Sequence, residues 1–469
     1  MLFNSLQFAA FFVLTWAVLR ALPPRARGPL LLGASLLFYA LWVPAYLALL
    51  VLTIVVNYGL LRAIAARRHA RAALAASVVF TLGLLGGFKY AAFLIASSLP
   101  LLRWTLGWEP PLPEIFLPLG ISFYSFQMIA LAADVKRGHT EAPPSLARYA
   151  LFVGFFPQLI AGPIVRGHEL LPQLEASGET TPERTRRGVW LVGTGLVKKV
   201  LLADFLLGPF VDIVFEQPRL DLAPYQLLAL YSFSFQIYFD FSGYSDIARG
   251  LGLLMGFELP LNFTEPYLSR SPTEFWRRWH MTLSRWLRDY LYIPLGGNRG
   301  GQLRTALNVM LTMLLGGLWH GASWSFVAWG GLHGLLLIGH RAVGRGRELA
   351  GERLSGAGDW LRAFLLFQAV SLLWVFFRAP TLDVATRYLG SILTGDYLTG
   401  WPLLRIAVLL LCVTLHIGER HARLHAAVWQ RAVARGFWGP AVEGLVLGTI
   451  AALTLLASGG GREFIYFQF

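Results

Sequence analysis

Three stretches hold side chains able to do chemistry. The first is Gly316-Gly-Leu-Trp-His320-Gly-Ala-Ser-Trp324, set between two apolar runs. An imidazole at membrane depth is costly, so ionisable groups there commonly face a cavity and carry function. Gly316, Gly317 and Gly321 remove side chains around His320 and permit close approach of a backbone or a ligand. A neutral histidine in such a site can act as general base toward an alcohol attacking a thioester. The same residue also reads as a buried histidine bonding a carbonyl across a helix pair.

The second stretch is Ser271-Pro-Thr-Glu-Phe-Trp-Arg-Arg-Trp-His280-Met-Thr-Leu-Ser-Arg-Trp-Leu-Arg-Asp-Tyr290. Its spacing predicts one amphipathic helix. Ser271 caps it, Pro272 suits the first helical position and Glu274 completes a capping box. Trp276, Trp279, His280, Leu283, Trp286, Leu287 and Tyr290 share a stripe, with Arg277, Arg278, Arg285 and Arg288 mainly off it. A basic face opposite a tryptophan face suits a helix lying in the membrane interface. On that reading the arginines anchor topology and His280 is a packing histidine.

The third stretch is Tyr238-Phe-Asp240-Phe-Ser-Gly-Tyr-Ser-Asp246, placed at the end of an expected span. Its carboxylates could bind a proton or orient an imidazole, and equally could cap a helix and pair with arginines. His333 and His340 lie seven residues apart. With His320 they lack the compact spacing of a helical metal site, so no metal is expected. Leu117-Pro-Leu-Gly-Ile and Phe156-Pro-Gln-Leu-Ile-Ala-Gly-Pro163 interrupt apolar runs and fit kinked or re-entrant helices, or simple helix ends. The chain has no Gly-x-Ser-x-Gly elbow, Walker A loop or dinucleotide fingerprint, which disfavours a serine esterase, a nucleotide-driven pump and a Rossmann enzyme.

The elements that must position these residues are helices in a membrane. Of 469 residues, 56% are hydrophobic and only 14% charged, with mean hydropathy +0.56. Soluble domains carry about 25% charge, and lipid removes the need for a polar exterior. Apolar runs recur at 4–19, 30–42, 44–61, 72–99, 115–133, 148–164, 188–213, 224–241, 305–319, 322–340, 360–377, 402–418 and 438–457. The expectation is an all-α polytopic membrane protein of about 11–13 membrane helices. It forms a single domain over 1–469, with a core motif region at 240–340.

The net charge of +14 comes from arginines between apolar runs, a positive-inside pattern and not a nucleic-acid surface. Loops 20–27, 62–71, 136–148, 166–187, 249–304, 341–347 and 420–435 are predicted cytoplasmic, and 100–114, 215–223 and 379–401 outward. Both termini then lie outside, and 148–164 does not cross fully. The first apolar run precedes its arginines, which favours an uncleaved span over a signal peptide. Cys412 is the single cysteine, so an internal disulfide and a cysteine-cluster metal site are excluded.

Four stretches together resemble the bacterial branch of the membrane-bound O-acyltransferase (MBOAT) family: Ser271 to His280, Leu291-Tyr-Ile-Pro-Leu-Gly-Gly-Asn-Arg299, Leu318-Trp-His320-Gly-Ala-Ser-Trp324 and Trp329-Gly-Gly-Leu-His333-Gly. The opening Met1-Leu-Phe-Asn-Ser and the ending Phe464-Ile-Tyr-Phe-Gln-Phe469 are similar to a polysaccharide-acetylating subgroup. The resemblance implies a helical ring around a funnel through the inner membrane. His320 matches the catalytic histidine, and His280 the second key histidine at the funnel's waist. The implied donor is cytoplasmic acyl-CoA, here acetyl-CoA, with no bound cofactor. The acyl group leaves toward a periplasmic SGNH-type partner that modifies a polymer.

On this footing Arg277, Arg278 and Arg285 are candidates to hold coenzyme A phosphates, with topology anchoring as the alternative. Trp276, Trp319, Asp240 and Asn298 complete the candidate binding set. Rival expectations are D-alanyl transfer from a carrier protein to teichoic acid, a transporter or channel using His320 and Asp240 as a proton path, and a structural membrane subunit.

Overall fold

The computed structural model of the protein describes residues 3, 5–113, 115–143, 145–159, 162–176, 178, 180–216, 223–344, 354–397, 400–424 and 440–457. The ending at 464–469, and part of the loops 341–347 and 420–435, lie outside these residues. All regular structure among the described residues is helical.

In chain order the helices are α1 (Leu6–Ala21), α2 (Pro24–Ala40), α3 (Pro44–Ala65), α4 (Ala70–Leu106), α5 (Ile121–Arg137), α6 (Leu146–Gly154), α7 (Gly167–Glu175) and α8 (Pro182–Leu196). A π-helical stretch, Val197–Leu207, leads from α8 into α9 (Gly208–Glu216). Then come α10 (Ala223–Leu254), α11 (Pro272–Arg278), α12 (Met281–Leu287), α13 (Gly301–His320) and α14 (Trp324–Gly344). The last are α15 (Ala357–Arg378), α16 (Leu382–Thr394), α17 (Leu403–Leu424) and α18 (Pro440–Ala457). Proline opens many of them, where its missing N–H costs no helix bond.

Among the described residues α3, α4 and α15 are each long and apolar enough to cross a membrane. Their exposed leucines and valines suit lipid. The protein is a polytopic helical membrane protein. The 148–164 run is broken, as expected: α6 ends at Gly154 and a single turn, Phe156–Leu159, follows. Two helices depart from expectation. Leu382–Thr394 is helical where an outward loop was predicted, and α10 continues to Leu254, so Asp240 and Asp246 lie inside a helix and not at its end.

The chain divides into two compact units. The first comprises Met1–Val192 with Ala248–Pro260. Within it a polar contact joins α3 to α4. Asn57 accepts from the hydroxyls of Ser77 at 2.6 Å and Thr81 at 3.3 Å, and its amide donates to the Thr53 carbonyl at 3.1 Å. Such side-chain bonds tie helices together where lipid supplies no hydrophobic drive. The second unit, Gly193–Ile247 with Leu261–Phe469, holds every candidate site residue.

Candidate active site

The 271–290 segment is not one helix. Ser271 does cap α11, accepting the Glu274 N–H at 3.1 Å. Glu274 reaches one residue further back than a capping box requires, taking the Arg270 N–H at 2.9 Å. The helix then stops at Arg278. Trp279 is extended, and His280 sits in the left-handed region at φ +41°, ψ +55° before α12 begins. The cause lies in residues 262–264. The Thr264 N–H donates to the Arg278 carbonyl at 3.0 Å, and the Met281 N–H donates to the Asn262 carbonyl at 2.9 Å. Both groups would otherwise serve the helix ladder. The left-handed residue costs roughly 1–3 kcal/mol away from glycine, a strain typical of functional sites.

His320 is set by a different device. It ends α13, and residues 321–323 turn the chain straight into α14. The two helices meet backbone to backbone. A Cβ on Gly317 would strike the Phe326 carbonyl oxygen, one on Gly330 the Met313 carbonyl oxygen, and one on Gly321 the Phe326 ring. Of the glycines beside His320, Gly317 therefore serves close backbone approach, while Gly321 makes room for the Phe326 ring. The histidine is 4% exposed, with ring centres of Trp319, Trp329 and Phe377 at 5.0, 5.1 and 5.3 Å.

These two devices bring the histidines to one aromatic cluster. Trp319 touches both, lying 5.9 Å from His280. Phe241 of α10 packs on His280 at 4.6 Å. His280 is fully buried and lies outside the spanning helices; burial pushes its pKa down to about 3, so the ring is neutral. A third histidine, His333 of α14, stands 4.8 Å from Trp329 and 5.0 Å from Trp276. Trp374 of α15 closes the cluster against Trp329 and Trp279, at 5.6 and 4.9 Å. Several buried polar atoms here have no hydrogen-bond partner among the described residues: His280 Nε2, both ring nitrogens of His333, and the indole N–H groups of Trp279, Trp329 and Trp374. Native interiors rarely leave such atoms unpaired unless a polar ligand or a catalytic role accounts for them.

The remaining candidates separate. Trp276 lines a pocket of about 240 Å³ with Thr273, Ser284, Arg288, Tyr292 and Arg341. Its ring also lies 5.9 Å from Trp329, so two indoles connect the pocket to His320. Asn298 is at the rim, bonded to the Tyr292 hydroxyl and accepting from Arg341 at 3.1 Å. Arg277 is exposed and Arg285 half-buried. Arg278 is buried, its guanidinium engaged by Glu274 at 2.8 Å and the Thr264 carbonyl at 3.3 Å. That engagement occupies its guanidinium.

Asp240 is buried against Lys199, which also bonds Asp204 at 2.8 Å. Asp246 pairs with Lys198 at 2.8 Å, and Lys198 reaches Glu419 at 2.6 Å. The carboxylates thus pair with lysines of the π-helical stretch. Sequence reasoning passed over these lysines, Arg341, Tyr292 and Asn262. Adjacent lysines in an apolar run were the one available signal, since lysine is rare there unless paired.

Buried histidines packed among indoles suit transfer of an acyl group away from bulk water. The sequence profile of the MBOAT, membrane-bound O-acyltransferase family matches residues 90–377, a range that contains His280, His320 and His333. The chain belongs to this family and is an O-acyltransferase. The probable alginate O-acetylase AlgI of Azotobacter vinelandii is 45% identical over 404 residues, covering 85% of this chain and 79% of that protein. The Pseudomonas aeruginosa PAO1 protein of the same name is 46% identical over 77% of this chain and 69% of its own. A peptidoglycan O-acetyltransferase of Helicobacter pylori is 38% identical, over 76% and 72%.

Proposed function

We propose that the protein passes an acetyl group from cytoplasmic acetyl-CoA across the inner membrane for O-acetylation of an alginate-like exopolysaccharide, with a periplasmic SGNH-type partner completing the transfer. The similarity to the two AlgI proteins supports the acetyl group and the polymer class. The observation that carries the chemistry is the junction at Trp319, which holds His320 and His280 in one water-poor aromatic cluster.

In this reading His320 is the general base. The acceptor oxygen attacks the thioester carbon, a C–O bond forms and the C–S bond breaks. The hydroxyl proton passes to the His320 imidazole and then to the leaving coenzyme A sulfur. Low surrounding polarity strengthens each electrostatic contact in the transition state. The donor's anionic end is held at the pocket beside Trp276, where Arg288 and Arg341 lie at the surface. Arg288 pairs with Asp289 at 2.7 Å. An exposed pair of that kind is worth about 0–1 kcal/mol and yields readily to a phosphate.

The test is coenzyme A release from acetyl-CoA by purified protein in lipid, with a simple alcohol or the periplasmic partner as acceptor. His320→Ala is expected to slow release by about 10²- to 10⁴-fold, the range for a lost general base. Unchanged release in the variant would remove His320 from the chemistry. Absence of release in folded wild-type protein would remove acetyl-CoA as donor.

A further inference from the structure

Asn262 lies in the stretch that breaks the helix at His280, and its side chain is as engaged as its backbone. The Asn262 Oδ1 accepts the backbone N–H of Thr282 at 3.2 Å and the Thr282 hydroxyl at 3.0 Å. Its Nδ2 donates to the Ser245 hydroxyl at 3.3 Å. A backbone N–H can only donate, so the amide atom facing Thr282 is the oxygen, and the usual uncertainty over which way an asparagine points is removed.

The Nδ1 of His280 lies 3.1 Å from that same oxygen. An amide oxygen only accepts. Nδ1 therefore carries the proton, and in a neutral imidazole Nε2 is left with the lone pair. Nε2 is buried and has no partner among the described residues.

We propose that Asn262 is a positioning residue that fixes His280 in the Nδ1–H tautomer, so that His280 accepts a hydrogen bond from a substrate O–H or N–H at Nε2 and does not donate one to the thioester carbonyl. This rests on the acyl-transfer reading. Asn262 itself touches no reacting atom and acts only through His280.

The charged and titratable groups on the elements around His280 are accounted for. On α10, Asp240 and Asp246 pair with Lys199 and Lys198. Glu265 pairs with Arg423, and on α11 Glu274 pairs with Arg270 and Arg278. The same elements also carry Tyr225, Tyr231, Tyr238, Tyr244 and Arg249 on α10, Arg277 on α11, Arg285 on α12, and Arg304 and His320 on α13. The neutral amide of Asn262 is the group that meets Nδ1 directly.

Two independent readouts test the proposal. In wild-type protein labelled with ¹⁵N-histidine, the signal lost in His280→Gln identifies His280, and its nitrogen shifts are expected to show protonated Nδ1 and bare Nε2. In the coenzyme A assay, Asn262→Ala is expected to lower kcat by about 10- to 100-fold, as for a lost orienting partner, with KM for acetyl-CoA unchanged. Asn262→Asp keeps the acceptor but adds a negative charge beside Nδ1. It is expected to retain more activity than Asn262→Ala and to move the acid limb of the pH–rate profile to higher pH, because the carboxylate favours the imidazolium.

A purely packing role would not move that limb. A protonated Nε2 in the wild-type spectrum overturns the proposal, and so does an Asn262→Asp acid limb that stays in place. The spectrum needs neither turnover nor a folded Asn262 variant. Failure of the acyl-transfer reading would appear separately, as wild-type protein that releases no coenzyme A.

Discussion

At the scale of single residues, the two histidines differ in how legible they were. His320 announced itself because an imidazole between apolar runs and glycines is expensive without a purpose. Its indole neighbours Trp319, Trp324 and Trp329 were visible in the same motifs, though which of them touch it was not. Asn262 was silent, because an asparagine after an apolar stretch reads as an ordinary turn residue. Only the fold brings it to the His280 ring. The arginines show the converse limit. Spacing grouped Arg277, Arg278 and Arg285, yet Arg278 is committed to Glu274, while Arg341 comes from a helix that begins 34 residues beyond Tyr290. If Arg288 and Arg341 receive the donor's phosphates, replacing either by alanine should raise KM for acetyl-CoA about tenfold, equivalent to about 1.4 kcal/mol, with kcat little changed. Steady-state kinetics at varied acetyl-CoA would decide it, and an unchanged KM in both variants would return these arginines to membrane anchoring.

At the scale of elements, periodicity gave the right helices but hid their interruptions. The apolar stripe from Trp276 to Tyr290 stays in phase across His280, so nothing in the pattern marks the break. The break is imposed by hydrogen bonds from a distant stretch, 262–264, and tertiary bonds of this kind leave no local trace. The Leu382–Thr394 helix was missed for a different reason. It is only 13 residues long, too short to register as a span. The tightest element contact is that of α13 with α14, and it is sensitive to a single carbon atom. Gly330→Val should destabilise the protein by about 1–3 kcal/mol or more, because the Met313 carbonyl cannot move aside as a side chain could. Gly339→Ala, on the same helix with open space around it, should leave thermal unfolding in lipid nearly unaltered. Equal melting temperatures for the two variants would contradict the backbone contact.

At the scale of the whole molecule, composition alone excluded a soluble protein, and the excess of arginine is a statement about orientation. The loop at 62–71 is basic while 100–114 is not, and the single long helix α4 runs between them. With Cys412 replaced by alanine, a cysteine placed at Arg68 should resist a membrane-impermeant maleimide added to intact spheroplasts, and one placed at Trp108 should react. Labelling in the reverse sense would invert the assignment. What composition could not supply is how the interior tolerates its own charges. Lys198 and Lys199 answer four carboxylates, Asp204, Asp240, Asp246 and Glu419, and removing one partner from such a buried set commonly costs about 3–5 kcal/mol.

The three-residue turn after His320 also bears on how the protein is made. Two helices of 20 and 21 residues that meet through glycine backbones leave no polar loop long enough to rest at the membrane surface between them. They therefore form one hairpin whose two arms are fixed against each other. The place of His320 is then set within that hairpin, before α15 has been translated to close the aromatic cluster around it.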